Sequence, residues 1–306
     1  MKKRLFSILL SICMVFTMIP MAGGAVFAAT ATSVKIGGVE LNANKPYYHN
    51  GVNGAVGEAN KTETGANAEF DAIKGTLTLN GLNVNSNESG IRWENESGGF
   101  NALDLTIILS GNSNNTIVNT VGSGIVGTTG GREVGPSLTI KGKGALNVTG
   151  SNSGIWVWKN ITIEDSAAVN ITGDTNGICN NIVGTTTIKD EAYVKINARN
   201  GDGIGSDHGG TNNLKVNGGA LVISAGNMAV MDKAVATVAT ESNYSITGGD
   251  SESDTKEVTN ISTAKCKYLR VEPAAYAYAD KVYIYLRTLD KDSNQDPSTF
   301  IRVPDD

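Results

Sequence analysis

Two tryptophans occupy alternate positions in the run GIWVW at residues 154–158. If that run is a strand whose aliphatic residues face the interior, Trp156 and Trp158 project from its outer face about 7 Å apart, because alternate residues point to opposite sides. Exposed flat rings at that spacing suit stacking against the sugar rings of a polysaccharide. Tryptophan more often buries much of its ring, so the competing interpretation is that an N-terminal segment carrying Tyr47 and Tyr48 packs over the pair.

Three polar residues are candidates for hydrogen bonding to a glycan held by the tryptophans. Arg92 occupies the position equivalent to Trp156 two coils earlier, whereas Trp93 beside it falls in the inward register. Asp207 and His208 follow the last clear repeat. The sequence therefore predicts a ligand-binding group and no catalytic group. Its members are Trp156, Trp158, Arg92, Asp207 and His208.

Catalysis and metal binding are the weaker interpretations of the acidic residues. Hydrolysis of a glycosidic bond needs two carboxyl groups facing each other across that bond. Asp202 and Asp207 come nearest to such a pair, but the simpler interpretation is that they are polar residues at the corner of a coil. Asp174 and Asp202 stand at corresponding corners, where they either contribute to a Ca²⁺ site, which needs about six to eight oxygen ligands, or form Asx turns. The only histidines, His49 and His208, lie far apart and predict no transition-metal site. We expect no cofactor, with calcium as the one ion to test.

The tryptophans belong to a unit that is written three times, at Leu138–Ile155, Ile161–Ile178 and Thr186–Ile204. Each copy contains two short alternating strands, a polar corner with glycine, and a Gly-Ile pair that opens a third strand. Alternation of period two in a repeat of this length, without a helical pattern, is typical of coils that stack on one another. We predict an all-β parallel β-helix of about six or seven three-strand coils, spaced about 4.8 Å apart.

The Gly-Ile pairs mark one turn of each coil. Successive isoleucines are 34, 30, 23 and 26 residues apart, so the early coils are expected to carry loop insertions. A polar residue stands two positions before each isoleucine, which predicts a polar ladder along one corner of the stack. The isoleucines are Ile91, Ile125, Ile155, Ile178 and Ile204, and the polar residues are Ser89, Ser123, Ser153, Asn176 and Asp202.

The sequence divides the chain into three parts. Residues 1–28 are typical of a signal peptide, with three basic residues before an apolar run and small residues before a cut after Ala28. Residues 29–273 are predicted to form the β-helix domain. Residues 274–306 are expected to be a tail or the start of a further module.

Within the domain, four segments flank the coils. Residues 34–41 alternate between apolar and polar side chains. They predict a strand that covers the N-terminal end of the stack, which would otherwise present unpaired backbone groups. Residues 42–68 have no period and are interpreted as an excursion of the kind that carries binding surfaces. Residues 243–246 and 267–271 predict strands that close the far end.

Charge and cysteine content limit the partners and the chemistry. The formal net charge is −5, and removal of the three positive charges of the signal peptide leaves −8, which disfavours nucleic acid and anionic lipid as partners. No segment of the mature chain has the length of a membrane-spanning helix. Cys179 and Cys266 remain after cleavage, and they either pair in the oxidising extracellular environment or lie as separate, partly buried thiols.

Two segments carry a resemblance to a known group of proteins. The run from Gly201 to Asn227 resembles the repeat of secreted carbohydrate-binding-domain-containing proteins of Gram-positive bacteria, and the ending from Ala264 to Pro273 is similar to the way such modules close. That group resembles the right-handed, pectate-lyase-like β-helix. The resemblance implies a right-handed β-helix, a secreted or cell-wall-associated location and a polysaccharide or cell-surface glycan as ligand.

Three functions remain open at this point, since one fold hosts many activities. The first is non-catalytic binding of polysaccharide along a lateral face, by a protein expected to be monomeric. The second is an enzyme, a polysaccharide lyase or glycoside hydrolase acting on acidic polysaccharide. The third is a structural or adhesive surface scaffold without sugar specificity.

Overall fold

The protein is a stack of β-coils. The computed structural model describes residues 31–52, 56–95, 104–129, 135–180, 184–207, 209–232, 234–238 and 244–273. Over these residues the chain is all-β, apart from one short 3₁₀ turn at Ile261–Thr263. The described part contains no helix of the length and apolarity needed to cross a membrane. The predicted signal peptide and the tail from residue 274 lie outside the described residues.

The coils follow the predicted repeat. Three strands make up each of five complete coils, a sixth coil has two strands, and one further strand starts a seventh. In chain order the coil strands are β6 (Thr76–Leu79), β7 (Asn83–Ser86), β8 (Ile91–Asn95), β9 (Leu105–Leu109), β10 (Asn114–Asn119), β11 (Ile125–Thr129), β12 (Leu138–Gly142), β13 (Ala145–Gly150), β14 (Ser153–Val157), β15 (Ile161–Ile163), β16 (Ala168–Gly173), β17 (Asn176–Asn180), β18 (Gly184–Lys189), β19 (Tyr193–Ala198), β20 (Ile204–Gly205), β21 (Asn212–Asn217), β22 (Ala220–Ala225) and β23 (Ala236–Val238).

Corresponding strands of successive coils pair in parallel and form three long sheets. Sheet I contains the first strand of each coil, from β6 to β23. Sheet II contains the second strands, from β7 to β22, and sheet III the third strands, from β8 to β20. These pairings confirm the predicted parallel β-helix, and its right-handed winding stays a prediction.

The interior is built from aliphatic side chains in vertical rows. In sheet III, Ile91, Ile125, Ile155, Ile178 and Ile204 are paired in register from coil to coil, and all five are fully buried. Similar rows of leucine, valine and isoleucine face inward from the other two sheets. Apolar burial on this scale is the main stabilising contribution to a solenoid.

The glycine before each isoleucine is explained by the closeness of adjacent coils. A Cβ on Gly154 would lie 2.9 Å from the carbonyl oxygen of Gly177 in the next coil, and it would also collide with the side chain of Ile171. The corresponding Cβ-to-carbonyl distances for Gly90, Gly124, Gly177 and Gly203 are between 2.6 and 2.9 Å. Only a residue without a side chain fits this row.

Polar ladders occupy two corners. The predicted ladder is confirmed at its centre, where Ser123, Ser153 and Asn176 are buried and Oγ of Ser123 accepts a hydrogen bond from the backbone N–H of Ser153. A second ladder was not predicted: Nδ2 of Asn212 donates to Oδ1 of Asn180, and the hydroxyl of Thr186 donates to Oδ1 of Asn212. These bonds satisfy buried polar groups that would otherwise be costly.

The N-terminal end is covered by five antiparallel strands. A hairpin, predicted as one strand, pairs with β8 through Ile36 and Ile91 and turns at Gly37 and Gly38, both at positive φ. The segment 42–68 was predicted to be a loop excursion, and this is wrong: its strands extend sheet I and bury Tyr48 completely. The cap strands are β1 (Ser33–Ile36), β2 (Val39–Asn42), β3 (Tyr47–His49), β4 (Glu58–Asn60) and β5 (Ala68–Asp71).

The C-terminal end is closed by β24 (Tyr244–Ser251), β25 (Asp254–Glu257) and β26 (Tyr268–Pro273), as the sequence predicted for two of these strands. Strand β26 pairs antiparallel with β22, and its Leu269 and Val271 are fully buried against the last coil. The outermost strand, β25, is short, exposed and charged, which disfavours pairing with another chain. Both cysteines of the described region are buried and free, so they do not form a disulfide.

Candidate functional site

Trp156 lies on the outer face of sheet III, as its parity predicts, and Trp158 comes directly after the last residue of β14. Ile155 and Val157 are fully buried, whereas Trp156 and Trp158 are partly exposed. Trp156 stands in an outward row between Val126 of the preceding coil and Cys179 of the next. Its backbone is fixed on both sides by strand pairing, so the site is carried by a rigid element.

The rings differ from the side-by-side arrangement expected from strand geometry alone. Their centroids are 5.9 Å apart and their planes are inclined by 78°, so the pair is edge-to-face. Aromatic quadrupoles favour this arrangement. The pair therefore presents one ring face and one ring edge at an angle, which suits contact with one sugar ring rather than with two coplanar sugars.

Asp207 joins the tryptophans across 51 residues of sequence. The indole Nε1–H of Trp156 donates to Oδ2 of Asp207 over 2.9 Å, and Nδ2 of Asn176 donates to Oδ1 of Asp207 over 3.1 Å. Both carboxylate oxygens thus have a protein donor. We call Trp156, Trp158 and Asp207 the tryptophan corner.

The segment with Asp207 also covers the outward side chain of Cys179. This thiol is fully buried although it points away from the bore. Burial raises the pKa of the Cys179 thiol, and the nearby negative charge of Asp207 raises that pKa further. A thiol held protonated in this way is a poor nucleophile.

Trp158 is partly covered by a neighbour that the sequence did not indicate. The backbone at Gly135 passes so close that a Cβ there would collide with Cβ and Cγ of Trp158. Tyr47 and Tyr48 belong to sheet I instead, so the prediction that they pack over the tryptophans is wrong. Within the described part of the chain, Nε1 of Trp158 and Oγ of Ser206 are buried without a hydrogen-bond partner.

The remaining predicted ligand residues do not join this corner. Arg92 lies on the same outer face, in the row that leads through Val126 to Trp156, but its guanidinium binds Glu94, with Nη2 and Oε2 2.6 Å apart. That bond holds the pKa of Glu94 below its usual value. His208 lies outside the described residues.

The acidic corner residues have structural partners. Asp174 pairs with Arg199 at the surface. Oδ1 of Asp202 accepts hydrogen bonds from the side chain of Asn227 and from the backbone N–H of Met228. No cluster of three acidic, histidine or cysteine side chains arranged for a metal ion occurs among the residues described.

A second concave site lies on the outer face of sheet II. This C-terminal groove has a volume of 420 Å³, within the roughly 300–1,000 Å³ typical of small-molecule sites. One signal in the sequence could have indicated this groove: in the register of the repeats, Tyr193 replaces Ala168 and Lys195 replaces Asn170. Residues that define the groove are Tyr193, Lys195, Asp250, Glu252, Tyr268 and Arg270.

Comparisons with protein-family models, with curated proteins and with solved structures found no match to this chain. The fold assignment therefore rests on strand pairing. The functional assignment rests on the geometry of the two surface sites.

Proposed function

We propose that this protein is a secreted, non-catalytic β-helix that binds polysaccharide on a lateral face through the tryptophan corner. The observation that carries the proposal is the pair of partly exposed indoles, of which Trp156 lies on a strand paired on both sides and Trp158 follows directly after that strand. A rigid aromatic surface loses little conformational entropy when a sugar stacks on it. The signal peptide predicted at 1–28 accounts for access to extracellular polysaccharide.

Polar groups at the corner support an oriented ligand. Asp207 is exposed, and its carboxylate holds the indole of Trp156 in place. An ionised carboxylate has further lone pairs, which accept hydrogen bonds from sugar hydroxyl groups. Sugar-binding sites combine an apolar face with a few such polar groups.

The same contacts favour binding over catalysis. General acid–base cleavage needs carboxyl groups directed at the scissile bond, whereas Asp202 and Asp207 each bond to groups of the protein. A lyase or hydrolase is therefore the second candidate, and release of unsaturated or reducing sugar ends from polygalacturonate is its assay.

The test is a binding screen of the mature chain against immobilised polysaccharides, with Trp156→Ala/Trp158→Ala beside it. Each single stacking contact contributes about 0.5–1.5 kcal/mol, so we expect the double variant to lose at least about fivefold in affinity. Trp156→Phe keeps an aromatic ring without the N–H and should lose less than Trp156→Leu, which keeps only apolar bulk.

Thermal unfolding of every variant is the control. Loss of binding with an unchanged melting temperature supports the proposal. Equal binding by the double variant, or binding of no polysaccharide by the wild type, contradicts it and favours the scaffold without sugar specificity.

A further inference from the structure

The floor of the C-terminal groove consists of three neighbouring strands of sheet II. Tyr193 and Lys195 project outward from β19, and Lys195 pairs in register with Val222 of β22. Val222 pairs in turn with Arg270 of β26. An aromatic ring, an aliphatic side chain and two cations therefore lie side by side on one flat surface.

The wall of the groove is the turn between β24 and β25. Strand β24 is eight residues long, but its pairing with β26 ends at Gly249 opposite Tyr268, so residues 250–253 extend beyond the floor strands. The register shifts between Gly249 and Ser251, which marks a bulge. The Tyr268 hydroxyl donates to Oε1 of Glu252 over 3.4 Å and links floor to wall.

The chemistry of the lining is mixed. Lys195 and Arg270 supply positive charges, and Asp250 and Glu252 supply negative charges. The guanidinium of Arg270 is already paired with Glu272, so the lining has no excess of positive charge to attract an anion. Asn197 and Ser224 add amide and hydroxyl groups from the floor. Such a lining, with donors and acceptors but no free cationic cluster, suits a ligand rich in hydroxyl groups and without negative charge.

Tyr193 supplies the stacking surface. Its side chain is 42% exposed, in a row where the neighbouring coils carry Ala168 and Ala220. The small neighbours Ala168 and Ala220 leave space beside the ring along the sheet. A large apolar side chain that remains exposed on a rigid strand is typical of a recognition surface.

We propose that the C-terminal groove is a second saccharide site, which takes a unit of an uncharged polysaccharide stacked on Tyr193. The inference rests on the proposed function, because it assumes a polysaccharide ligand. The net charge of −8 after signal cleavage supports the choice of an uncharged polymer, since an acidic one would be repelled over the approach to the surface.

The experiment is isothermal titration of the mature chain with cellohexaose, xylohexaose and mannohexaose, with hexagalacturonate as the acidic arm. Tyr193→Ala should weaken binding of the preferred neutral hexasaccharide about three- to tenfold, the loss expected for one stacking contact. Tyr193→Phe should stay within about twofold of the wild type on the same argument. Tyr47→Ala, which removes a tyrosine from β3 in sheet I, is the matched control and should change nothing.

The outcomes separate the two proposals. If Tyr193→Ala binds like the wild type while Trp156→Ala/Trp158→Ala loses binding, the groove is not a saccharide site and the proposed function stands. If hexagalacturonate binds more tightly than the neutral sugars, the assignment of an uncharged ligand is overturned. If the wild type binds none of the four, both proposals fail.

Discussion

At the scale of single residues, the carboxylates of this protein serve the framework. Asp207 orients Trp156, and Asp202 holds the chain at Asn227. Asp104 accepts a hydrogen bond from the backbone N–H of Ser137 over 2.7 Å. In these hydrogen bonds the carboxylate acts through its acceptor oxygen. Its negative charge is required only where a cationic side chain pairs with it.

Asp104 provides a test of that distinction. Burial raises the pKa of Asp104, and the bond from Ser137 and the charge of Lys159 only partly offset this effect. The folded chain therefore holds the proton more tightly than the unfolded chain, and this contribution to stability is lost as pH rises through the raised pKa. Asp104→Asn keeps an oxygen acceptor without the charge, so we expect a higher melting temperature than wild type at pH 7.

The difference should shrink as pH falls through the raised pKa of Asp104 and disappear once the carboxyl is protonated in both the folded and the unfolded chain. Thermal unfolding followed from pH 7 downwards measures it. Asp71→Asn is a matched control with the opposite sign, because its hydrogen bond and charge contact with Lys74 lower the pKa of Asp71. A destabilised Asp104→Asn at pH 7 would show that the charge itself is needed.

At the scale of elements, the Gly-Ile pair determines how the coils stack. The isoleucine fills the bore, and the glycine lets the neighbouring carbonyl approach. The glycines are required by close approach and not by positive φ, since none of Gly90, Gly124, Gly154, Gly177 and Gly203 has a left-handed backbone. The close spacing between coils therefore explains why a glycine precedes the isoleucine in every repeat.

Gly154→Ala should destabilise the protein by about 2–4 kcal/mol, because the new methyl group meets a carbonyl and a buried isoleucine that cannot both move. Gly122→Ala is the matched control: its Cβ would meet only the side-chain amide of Asn119 at 3.3 Å, and the cost should stay below about 1 kcal/mol. Urea unfolding of both variants measures the difference. Equal costs would mean that the coils have room to separate at this corner.

At the scale of the whole molecule, the two ends determine whether the stack of coils stays closed to pairing with other chains. The coils offer parallel edges that could continue indefinitely. Antiparallel strands extend sheets I and III at the N-terminal end and sheet II at the C-terminal end. At the far end Leu269 and Val271 cover the bore, and the charged strand β25 forms the edge. Closing the edges limits aggregation.

A chain that ends at Val238 lacks the C-terminal cap. It should aggregate, because the apolar interior of the last coil and the hydrogen-bonding edge of β22 become exposed. A chain that ends at Pro273 keeps the cap and should stay dispersed. Light scattering of both proteins distinguishes them. A dispersed, folded short chain would show that β24 to β26 are dispensable for closure.

The sequence predicted what repeats and, apart from the strand at 34–41 and the closing strands at the C-terminal end, missed what does not. The isoleucine rows, the polar corner and the outward parity of Trp156 all follow from period two and from coil spacing. The caps at 42–68 pair antiparallel and only once, so they leave no period to detect. The angle between the tryptophan rings, and the bond from Trp156 to Asp207, depend on side-chain rotation and on a contact 51 residues away.

The most direct test of the proposed binding surface uses the three tryptophans of the chain as reporters. The mature protein, labelled with ¹⁵N at its indoles, is titrated with the polysaccharide selected by the screen while the three Nε1–H resonances are followed. We predict saturable shifts for Trp156 and Trp158, with Trp93, which is 2% exposed inside the bore, as the unmoved internal reference. Saturable binding measured by calorimetry, with all three indole resonances unchanged, would contradict the account.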